Sequence, residues 1–315
     1  MRLVKTDVVG LGLNAVDTVL EVQSFPALGG KERVLSVSRQ AGGQAATALV
    51  ACRRLGLTAR YIGKVGDDDA GRFQLESLRR EGVNVDHAGV VPGAATQFGE
   101  IIVDRTTGER TVFWDRDSRL SVRPEEITAE MISAARALHL DGCDVEAARA
   151  AAQTARECSI PVFADLDTVY SQIETLFPHI DYLIASANFL PAVTGEKDPF
   201  RALPSVALEY GMKGCGMTLG KDGALLYSEG HFVYSPGFVV ETVDTTGAGD
   251  VFHGAFIYGL LTGWPLPRIL NFSNAMAALN CMALGARGAI KTAAEAETLI
   301  RTGTRRVNQA YRHPC

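Results

Sequence analysis

The residues with the clearest chemical potential lie in the segment VDTTGAGDVFHGAF, residues 243–256. It follows a strand-like run and opens a helix whose apolar positions would face a core. Gly247, Ala248 and Gly249 are small enough to let a ligand approach the backbone. Their N–H groups would point out of the helix N-terminus, where the helix dipole is positive. The segment therefore predicts an anion hole suited to a phosphoryl group during its transfer.

Asp250 follows the anion hole directly and would lie in the first turn of the helix. A carboxylate there can accept the proton of an attacking hydroxyl while the anion hole stabilises charge on the transferred phosphate. The alternative interpretation is a helix N-cap with a glycine-rich approach. A second aspartate, Asp244, frames the Thr-Thr-Gly-Ala-Gly stretch from the other side. That full string favours a catalytic base at Asp250.

The elements that would position this segment alternate along the chain. Strand patterns lie at 3–13, 61–65, 137–142, 161–167, 182–186 and 216–220, and helical patterns at 43–55, 145–157, 168–177, 248–261 and 266–284. Such alternation is typical of a mostly parallel sheet with helices on both faces, which is an α/β fold.

Two extended segments, near 15–40 and 97–115, do not fit that alternation. The second contains FGEIIVD and ERTVFWD around a Thr-Thr-Gly turn, which predicts a hairpin. We expect both to form a small β-sheet lid within one domain spanning residues 1–315. A small sheet with one apolar face is poorly stable alone. We therefore expect a homodimer in which a second subunit's lid covers apolar lid residues, namely Ile101, Val103, Val112 and Trp114.

Composition excludes several classes of protein. The 31 basic and 36 acidic residues give a net charge of −5 without a basic stripe, so neither a nucleic acid nor a membrane surface is an expected partner. The apolar runs are too short to span a bilayer. The six cysteines have no metal-ligand spacing and the N-terminus has no signal-peptide pattern. These features favour reduced thiols and a cytoplasmic location.

DTTGAGD (244–250) resembles the C-terminal signature of the ribokinase (PfkB) family of carbohydrate kinases. Further family features recur in order over nearly the whole chain: GLNAVD (12–17), AGGQAAT (41–47), GKVGDDDAG (63–71), TLGKDG (218–223), and NAMAAL and GARGAI within 274–290. The resemblance implies a ribokinase-like fold and ATP-dependent phosphorylation of a primary hydroxyl of a small sugar. It also implies Mg²⁺ as a cofactor and leaves open a monovalent cation such as K⁺.

The resemblance also implies roles for individual residues. The sugar would be bound by Asn14, Asp17, Gly42, Gly43 and Thr47 and by the base Asp250. At the end of the lid hairpin, Asp115 and Arg116 would either contact the sugar or form ion pairs at the surface. ATP would be bound by Ser186, Thr218, Gly220, Lys221, Gly223, Thr246, Gly247, Gly249 and Asn274.

Two departures from the family pattern stand out. Thr47 replaces the asparagine that usually ends the first signature. The family's Asn-x-x-Glu motif, associated with magnesium and phosphate, is also incomplete. In ASANFLPAVTG (185–195), neither the alignment on Ser186 and Phe189 nor that on Asn188 and Pro191 supplies the glutamate. The metal ligands are therefore unassigned, and Mg²⁺ would depend on water, phosphates and other carboxylates.

For the substrate, two features resemble the ketohexokinase-like branch: G-x-x-x-x-D at Gly12–Asp17, and Arg110-Thr111 followed by Asp115-Arg116 in the predicted lid. Carboxylates only accept hydrogen bonds, so Asp17 and Asp115 suit the hydroxyl-rich surface of a neutral ketose such as fructose. A sugar acid or sugar phosphate would instead need a cation, and Arg116 could supply it. A nucleoside is a further alternative, although no aromatic cage for a base is evident.

Other interpretations have weaker support. GLGLNA (10–15) imitates a dinucleotide fingerprint, which must open a helix, but residues 15–23 have an extended pattern. A protein of the same fold that binds sugar or nucleotide without turnover stays open because the glutamate is missing. Asp165 and Asp167 end a parallel strand, where either ligand binding or capping is expected.

Overall fold

A nine-stranded sheet forms the centre of the computed structural model, which describes residues 5–311. The strands are β1 (Thr6–Leu11), β2 (Ala15–Val22), β3 (Val34–Gly42), β4 (Ala59–Gly66), β5 (Asn84–Val91), β6 (Phe98–Asp104), β7 (Arg110–Asp115), β8 (Ala135–Leu140), β9 (Val162–Leu166), β10 (Tyr182–Ser186), β11 (Gly214–Thr218), β12 (Ala224–Ser228), β13 (His231–Ser235), β14 (Gly237–Phe238) and β15 (Arg305–Arg306). The α-helices are α1 (Gln44–Arg54), α2 (Asp69–Arg80), α3 (Ala129–Ile132), α4 (Val145–Glu157), α5 (Phe189–Thr194), α6 (Pro199–Tyr210), α7 (Ala248–Leu261), α8 (Leu266–Asn280) and α9 (Ala293–Thr302).

The large sheet has the strand order β13-β12-β11-β10-β9-β8-β1-β4-β5. Only the β11–β12 and β12–β13 pairs are antiparallel, which confirms the predicted mostly parallel sheet. Parallel strands bring their carboxyl ends to one edge, where ligands bind in open α/β sheets. The ends of β1, β8, β9, β10 and β11 therefore lie along the same rim.

Helices cover both faces of this sheet, as predicted. On one face, α1 and α7 bury Leu49, Phe252 and Phe256. On the other face, α4 presents a row of alanines against β8 and β9, and Ala148 and Ala151 are fully buried there. Small side chains let this helix lie close to the strands, so the rim above them is held rigidly.

A second, four-stranded sheet has the order β3-β2-β6-β7. We call it the small sheet. Its strands come from segments 15–42 and 98–115, and β2 pairs with β6 in parallel while the outer pairs are antiparallel. Side chains alternate between the two faces along paired strands. One face, which is directed towards the large sheet and its helices, therefore carries Val19, Ile101, Val103, Val112 and Trp114.

That orientation corrects the predicted interface. Ile101 and Val103 are buried in this chain itself, in a cluster with Val19 and Leu284. The prediction that these two residues need a second subunit is therefore wrong. The opposite face carries a different apolar set, including Val37 and Phe113, which are 64% and 56% exposed.

Several predicted elements differ from the structure. The helix predicted at 168–177 is replaced by a 3₁₀ helix at Ile173–His179, because Gln172 adopts a left-handed conformation and Pro178 interrupts regular bonding. The helix predicted to reach 284 ends at Asn280, whose side chain donates to the carbonyls of Thr246 and Ala286. Strand β5 was not predicted.

The beginning of the chain also refines two predictions. The strand predicted from residue 3 appears as β1, although residues 3–4 lie outside the described residues. GLGLNA leads into strand β2 and opens no helix, which contradicts a dinucleotide fingerprint. Across residues 5–311 the structure holds no helix with the length and apolarity needed to cross a membrane.

Candidate active site

A cleft of about 1300 Å³ lies between the small sheet and the carboxyl rim of the large sheet. The N-terminus of α7 opens into its middle, with Gly247, Ala248, Gly249 and Asp250 all in the lining. Strands β2, β6 and β7 supply one wall, while the ends of β9, β10 and β11 supply the other. The structure therefore gathers in one cavity residues that are far apart in the chain.

Two glycines at the start of α7, Gly247 before its first residue and Gly249 in its first turn, differ in their surroundings. Gly247 has φ +74°, and a Cβ there would lie 2.3 Å from the Ala286 carbonyl oxygen, so only glycine fits without strain. A Cβ on Gly249 would instead point into open space. The Ala248 N–H donates to the Thr245 carbonyl, whereas those of Gly247 and Gly249 have no protein acceptor within the described chain. These two groups are available to an anion.

Asp244 stabilises the conformation of the loop at residues 244–247 through hydrogen bonds. Its fully buried carboxylate accepts from the Thr246 N–H at 2.8 Å, the Thr246 hydroxyl at 2.6 Å and the Gly285 N–H at 2.7 Å. All three donors belong to the protein, so Asp244 acts as a structural residue that ties residues 244–247 to the turn at Gly285.

Asp250 lies in the first turn of α7, at the predicted place. Burial raises the pKa of this carboxyl well above its ordinary range, and the nearby carboxylates of Asp165 and Asp167 raise it further. The charge of Arg110 acts in the opposite direction. A carboxylate with a raised pKa is a stronger base, which suits removal of a proton from a hydroxyl.

One of these neighbours has a partner on α7. His253 Nε2 lies 3.1 Å from Asp165 Oδ1, and both side chains are buried. Burial lowers the pKa of His253 to about 3, so the imidazole is neutral and can donate one hydrogen bond to the carboxylate. The contact fixes the orientation of Asp165 at the end of β9.

Asp17 occupies the wall formed by the small sheet. Its buried carboxylate is pressed between two glycines, because a Cβ on Gly42 would lie 1.9 Å from Oδ2 and one on Gly99 would lie 2.7 Å from Oδ1. Burial raises the pKa of Asp17 to about 6, although the charge of Arg287 opposes the shift. Asp17 and Gly43 both line the cleft.

Four other residues predicted to bind the sugar do not line the cleft: Asn14, Gly42, Thr47 and Asp115. The Asn14 amide donates to the Tyr61 hydroxyl and is buried. Thr47 is also fully buried, and its hydroxyl accepts from Arg287. These side chains support the loops around the cleft, and Asp115 ends β7 outside it.

Arg116 lines the cleft, but its charge is already matched. Its Nη1 and Nη2 atoms donate to the two carboxylate oxygens of Asp144 at 2.9 Å and 2.8 Å. Nη2 also donates to the Leu120 carbonyl. This bidentate pair leaves Arg116 little capacity to bind a second anion.

All of the residues predicted to bind ATP line the cleft, on the side of β10, β11 and α8. Thr218 ends β11, and Gly220 and Lys221 lie in the 3₁₀ helix that follows. The Asn274 amide donates to the Ser235 carbonyl at 2.8 Å and so joins α8 to β13. Apolar side chains complete this end, namely Phe238, Val239, Val240, Ala277 and Ala278.

Sequence reasoning missed several lining residues, and the clearest is Arg110. At the start of β7, its Nη1 donates to the Thr245 hydroxyl at 2.9 Å, directly beside the anion-hole loop. The strand pattern of residues 110–115 gave no signal for this contact, which joins residues 135 positions apart. Within residues 5–311, no three histidine, cysteine, aspartate or glutamate side chains are grouped so that they could hold a metal by themselves.

Comparison with known proteins identifies the family. Residues 5–293 match the pfkB family of carbohydrate kinases, and the chain therefore belongs to that family. The match confirms the predicted kinase class, ATP as phosphoryl donor, and a place in sugar metabolism.

Curated relatives cover most of the chain but differ in substrate. An ATP-dependent ribose-1-phosphate kinase of Halopiger xanaduensis is 31% identical, over 87% of this chain and 91% of its own length. A 5-dehydro-2-deoxygluconokinase of Geobacillus thermodenitrificans is 28% identical, over 85% and 86%. Fructokinase-2 of Solanum habrochaites is 29% identical, over 83% and 87%.

Solved structures confirm the ribokinase-like fold. A protein of Agrobacterium tumefaciens, provisionally named a ribokinase, superposes with a TM-score of 0.88 at 29% identity, covering 95% of this chain and 98% of its own. An Escherichia coli protein, provisionally named ribokinase II and solved in complex with ATP and Mg²⁺, has a TM-score of 0.79 at 23% identity, covering 94% and 99%. The chain is thus an ATP-dependent carbohydrate kinase of ribokinase-like fold.

Proposed function

We propose that this kinase phosphorylates a primary hydroxyl of a neutral ketose, with fructose the favoured substrate. The observation that carries the proposal is the bidentate pair of Arg116 with Asp144. Arg116 is the cation that could have bound an anionic sugar, and this pair neutralises it. The sugar end of the cleft then presents carboxylates, which accept hydrogen bonds from sugar hydroxyls.

The placement of the other cations supports the same conclusion. Arg110 lies beside the anion-hole loop, and Lys221 and Arg306 lie at the nucleotide end. These positions suit the phosphates of ATP. An anionic sugar bound beside Asp17 would meet a buried carboxylate and would be repelled.

In the proposed mechanism, Asp17 accepts hydrogen bonds from adjacent sugar hydroxyls and holds the reacting hydroxyl beside Asp250. Asp250 removes the hydroxyl proton as the oxygen attacks the γ-phosphorus. The N–H groups of Gly247 and Gly249 and the Arg110 guanidinium stabilise charge on the transferred phosphoryl group. The bond between the γ-phosphorus and the oxygen that bridges to the β-phosphate breaks, and ADP leaves with that oxygen.

Mg²⁺ fits the donor set of this site. Asp165, Asp167 and Asp250 all line the cleft, and burial raises the pKa values of Asp165 and Asp250, with neighbouring carboxylates raising them further. A divalent cation would relieve that repulsion, with Asp165 and Asp167 as its protein ligands and phosphates and water completing the shell. Mg²⁺ supplies neutralisation of phosphate charge when bound. The Escherichia coli structure in complex with ATP and Mg²⁺ supports Mg²⁺ as a cofactor, and the ligand assignment rests on the carboxylates of this chain.

A panel of acceptors tests the proposal. The kcat/KM values for fructose, ribose 1-phosphate, fructose 6-phosphate, 2-keto-3-deoxygluconate and 5-dehydro-2-deoxygluconate would be compared in a coupled ADP-release assay. We expect fructose to exceed every anionic sugar by about tenfold or more, which corresponds to one uncompensated charge contact. A tenfold preference for a sugar phosphate or sugar acid overturns the neutral-ketose proposal.

The same assay addresses the remaining alternatives. Turnover of a nucleoside, or binding of sugar and ATP without turnover, would replace the sugar-kinase assignment. The monovalent cation stays a prediction, and substitution of tetramethylammonium for K⁺ tests it. The cytoplasmic location also stays a prediction.

A further inference from the structure

Arg287 is a buried cation that makes no direct contact with a carboxylate among the residues that the structure describes. Its guanidinium donates from Nη2 to the Gly42 carbonyl at 2.8 Å, from Nε to the Thr47 hydroxyl at 3.2 Å, and from Nη1 to the Ser77 hydroxyl at 3.3 Å. All three acceptors are neutral, and Arg287 forms no ion pair within residues 5–311. A buried charge is costly unless other charges compensate it. A compensating anion should therefore lie nearby.

Asp17 is that anion. Arg287 donates to the carbonyl of Gly42, and Gly42 lies directly against the Asp17 carboxylate. A Cβ on Gly42 would lie 1.9 Å from Asp17 Oδ2. Among the acidic groups that act on Arg287, Asp17 has the largest effect. Reciprocally, burial raises the pKa of Asp17, the charge of Arg287 lowers it, and the carboxylate of Asp244 raises it.

The neighbours of Arg287 in sequence touch the phosphate side of the site. Gly285 donates its N–H to Asp244 at 2.7 Å, and the Ala286 carbonyl oxygen fills the space that a Cβ on Gly247 would need. Gly285, Ala286 and Arg287 thus contact, in that order, Asp244, Gly247 and the Gly42 carbonyl.

We propose that Arg287 is a positioning residue that holds Asp17 in register with the anion hole and thereby sets the affinity for the sugar. The proposal rests on the proposed role of Asp17 in sugar binding. It also accounts for Thr47, because the hydroxyl at this position accepts from Arg287 Nε and an asparagine amide would present a donor as well.

The test compares Arg287→Gln and Arg287→Lys with the unchanged enzyme. We expect Arg287→Gln to raise the sugar KM about tenfold or more, the usual scale for losing a charged contact, and to leave the ATP KM within about twofold. The acid limb of kcat/KM for the sugar should move to higher pH, because Asp17 loses its stabilising cation while Asp244 remains. Arg287→Lys keeps the charge but not the fork, so it should retain the acid limb and still raise KM.

Two further variants each remove one hydrogen-bond acceptor of Arg287. Thr47→Val removes one acceptor of Arg287 without touching the charge, and it should raise the sugar KM less than Arg287→Gln. Ser77→Ala removes the acceptor on α2, away from Asp17, and should leave both KM values unchanged. Thermal unfolding of each variant identifies those that remain folded. If Arg287→Gln fails to fold, Arg287→Lys and Thr47→Val decide, and an unchanged sugar KM in both overturns the proposal.

Asp17→Ala separates the two proposals. If it leaves the sugar KM unchanged, the sugar-binding role of Asp17 fails. If it raises that KM while folded Arg287→Gln does not, the role of Arg287 alone fails. An equal rise in the sugar and ATP KM values for Arg287→Gln would show general loosening of the loops and would also overturn the positioning role.

Discussion

Arg110 and Thr245 join the small sheet to the anion-hole loop through a hydrogen bond of 2.9 Å. The guanidinium also lowers the pKa of Asp250 against the effects of burial and the neighbouring carboxylates. A strand residue of the small sheet thus supplies positive charge where the phosphoryl group would be transferred. The link between the small sheet and the anion-hole loop and the electrostatics of Asp250 therefore depend on the same side chain.

Arg110→Ala should therefore impair the chemical step. We expect kcat to fall by about 10²-fold, the usual cost of removing one group that stabilises transition-state charge, with a much smaller change in the sugar KM. Arg105→Ala is the matched control, because Arg105 lies at the turn of the same hairpin and is exposed beside Glu21. Steady-state kinetics of both variants would check this, and equal effects would refute a specific role for Arg110.

Asp250→Asn should keep the fold and both substrates while losing the base. We expect kcat to fall by roughly 10²–10⁴-fold, the range for general acid–base catalysis. Calorimetric titration with sugar and with ATP should show affinities near those of the unchanged enzyme. Asp69→Asn, on the exposed first turn of α2, serves as the control. Near-normal turnover of Asp250→Asn would remove Asp250 from the mechanism.

The two glycines of the anion hole should respond differently to substitution. Gly249→Val places its side chain in the open cleft, so we expect normal thermal stability, normal sugar binding and severely reduced phosphoryl transfer. Gly247→Val would collide with the Ala286 carbonyl at a left-handed φ, so it should also lower thermal stability by strain. Melting curves and kinetics together test the pair, and unaffected transfer in Gly249→Val would place the anion hole elsewhere.

Local patterns were sufficient to predict the elements around the anion hole. α7 begins at Ala248 and α4 spans Val145–Glu157, as expected, because glycine and helical periodicity act over a few residues. The helix predicted at 168–177 failed for a different reason. A left-handed Gln172 and the tertiary position of the segment override its helical pattern.

The partners of the charged residues could not be predicted in this way. Arg116 pairs with Asp144, 28 residues further along the chain. Arg287 donates to the Gly42 carbonyl, 245 residues earlier in the chain. His253 on α7 contacts Asp165 on β9. No periodicity encodes such pairs, since they depend on how strand ends converge at the rim. For that reason the neutralisation of Arg116 became visible only in the folded chain.

The outer face of the small sheet predicts a homodimer with a revised interface. Val37 and Phe113 lie on that face and are exposed. Contact with the small sheet of a second copy would bury them, and burial of apolar area is the main source of stability in such interfaces. Sedimentation velocity at micromolar concentration should give a dimer, and Phe113→Asp should give a monomer. Phe25→Asp, another exposed aromatic near the same sheet, is a control for surface charge. A monomeric unchanged protein contradicts the prediction.

Asp17 should give sugar binding its own pH dependence. Its pKa is raised to about 6, so this carboxyl is protonated at pH values where an ordinary aspartate is still ionised. Only the ionised form accepts hydrogen bonds through both oxygens. The kcat/KM for the sugar should therefore fall as the pH falls through about 6, while the ATP KM stays level.

Asp17→Asn isolates this effect from the titration of Asp250, whose pKa is also raised. The variant should raise the sugar KM by roughly 10–100-fold, the scale of one or two hydrogen bonds to a charged group, without changing ATP affinity. It should also lose the limb near pH 6 in kcat/KM and keep the limb that belongs to Asp250. Loss of ATP affinity would instead show that Asp17 serves the nucleotide end of the cleft. A pH profile identical to that of the unchanged enzyme would mean that Asp17 does not titrate in the free kinase.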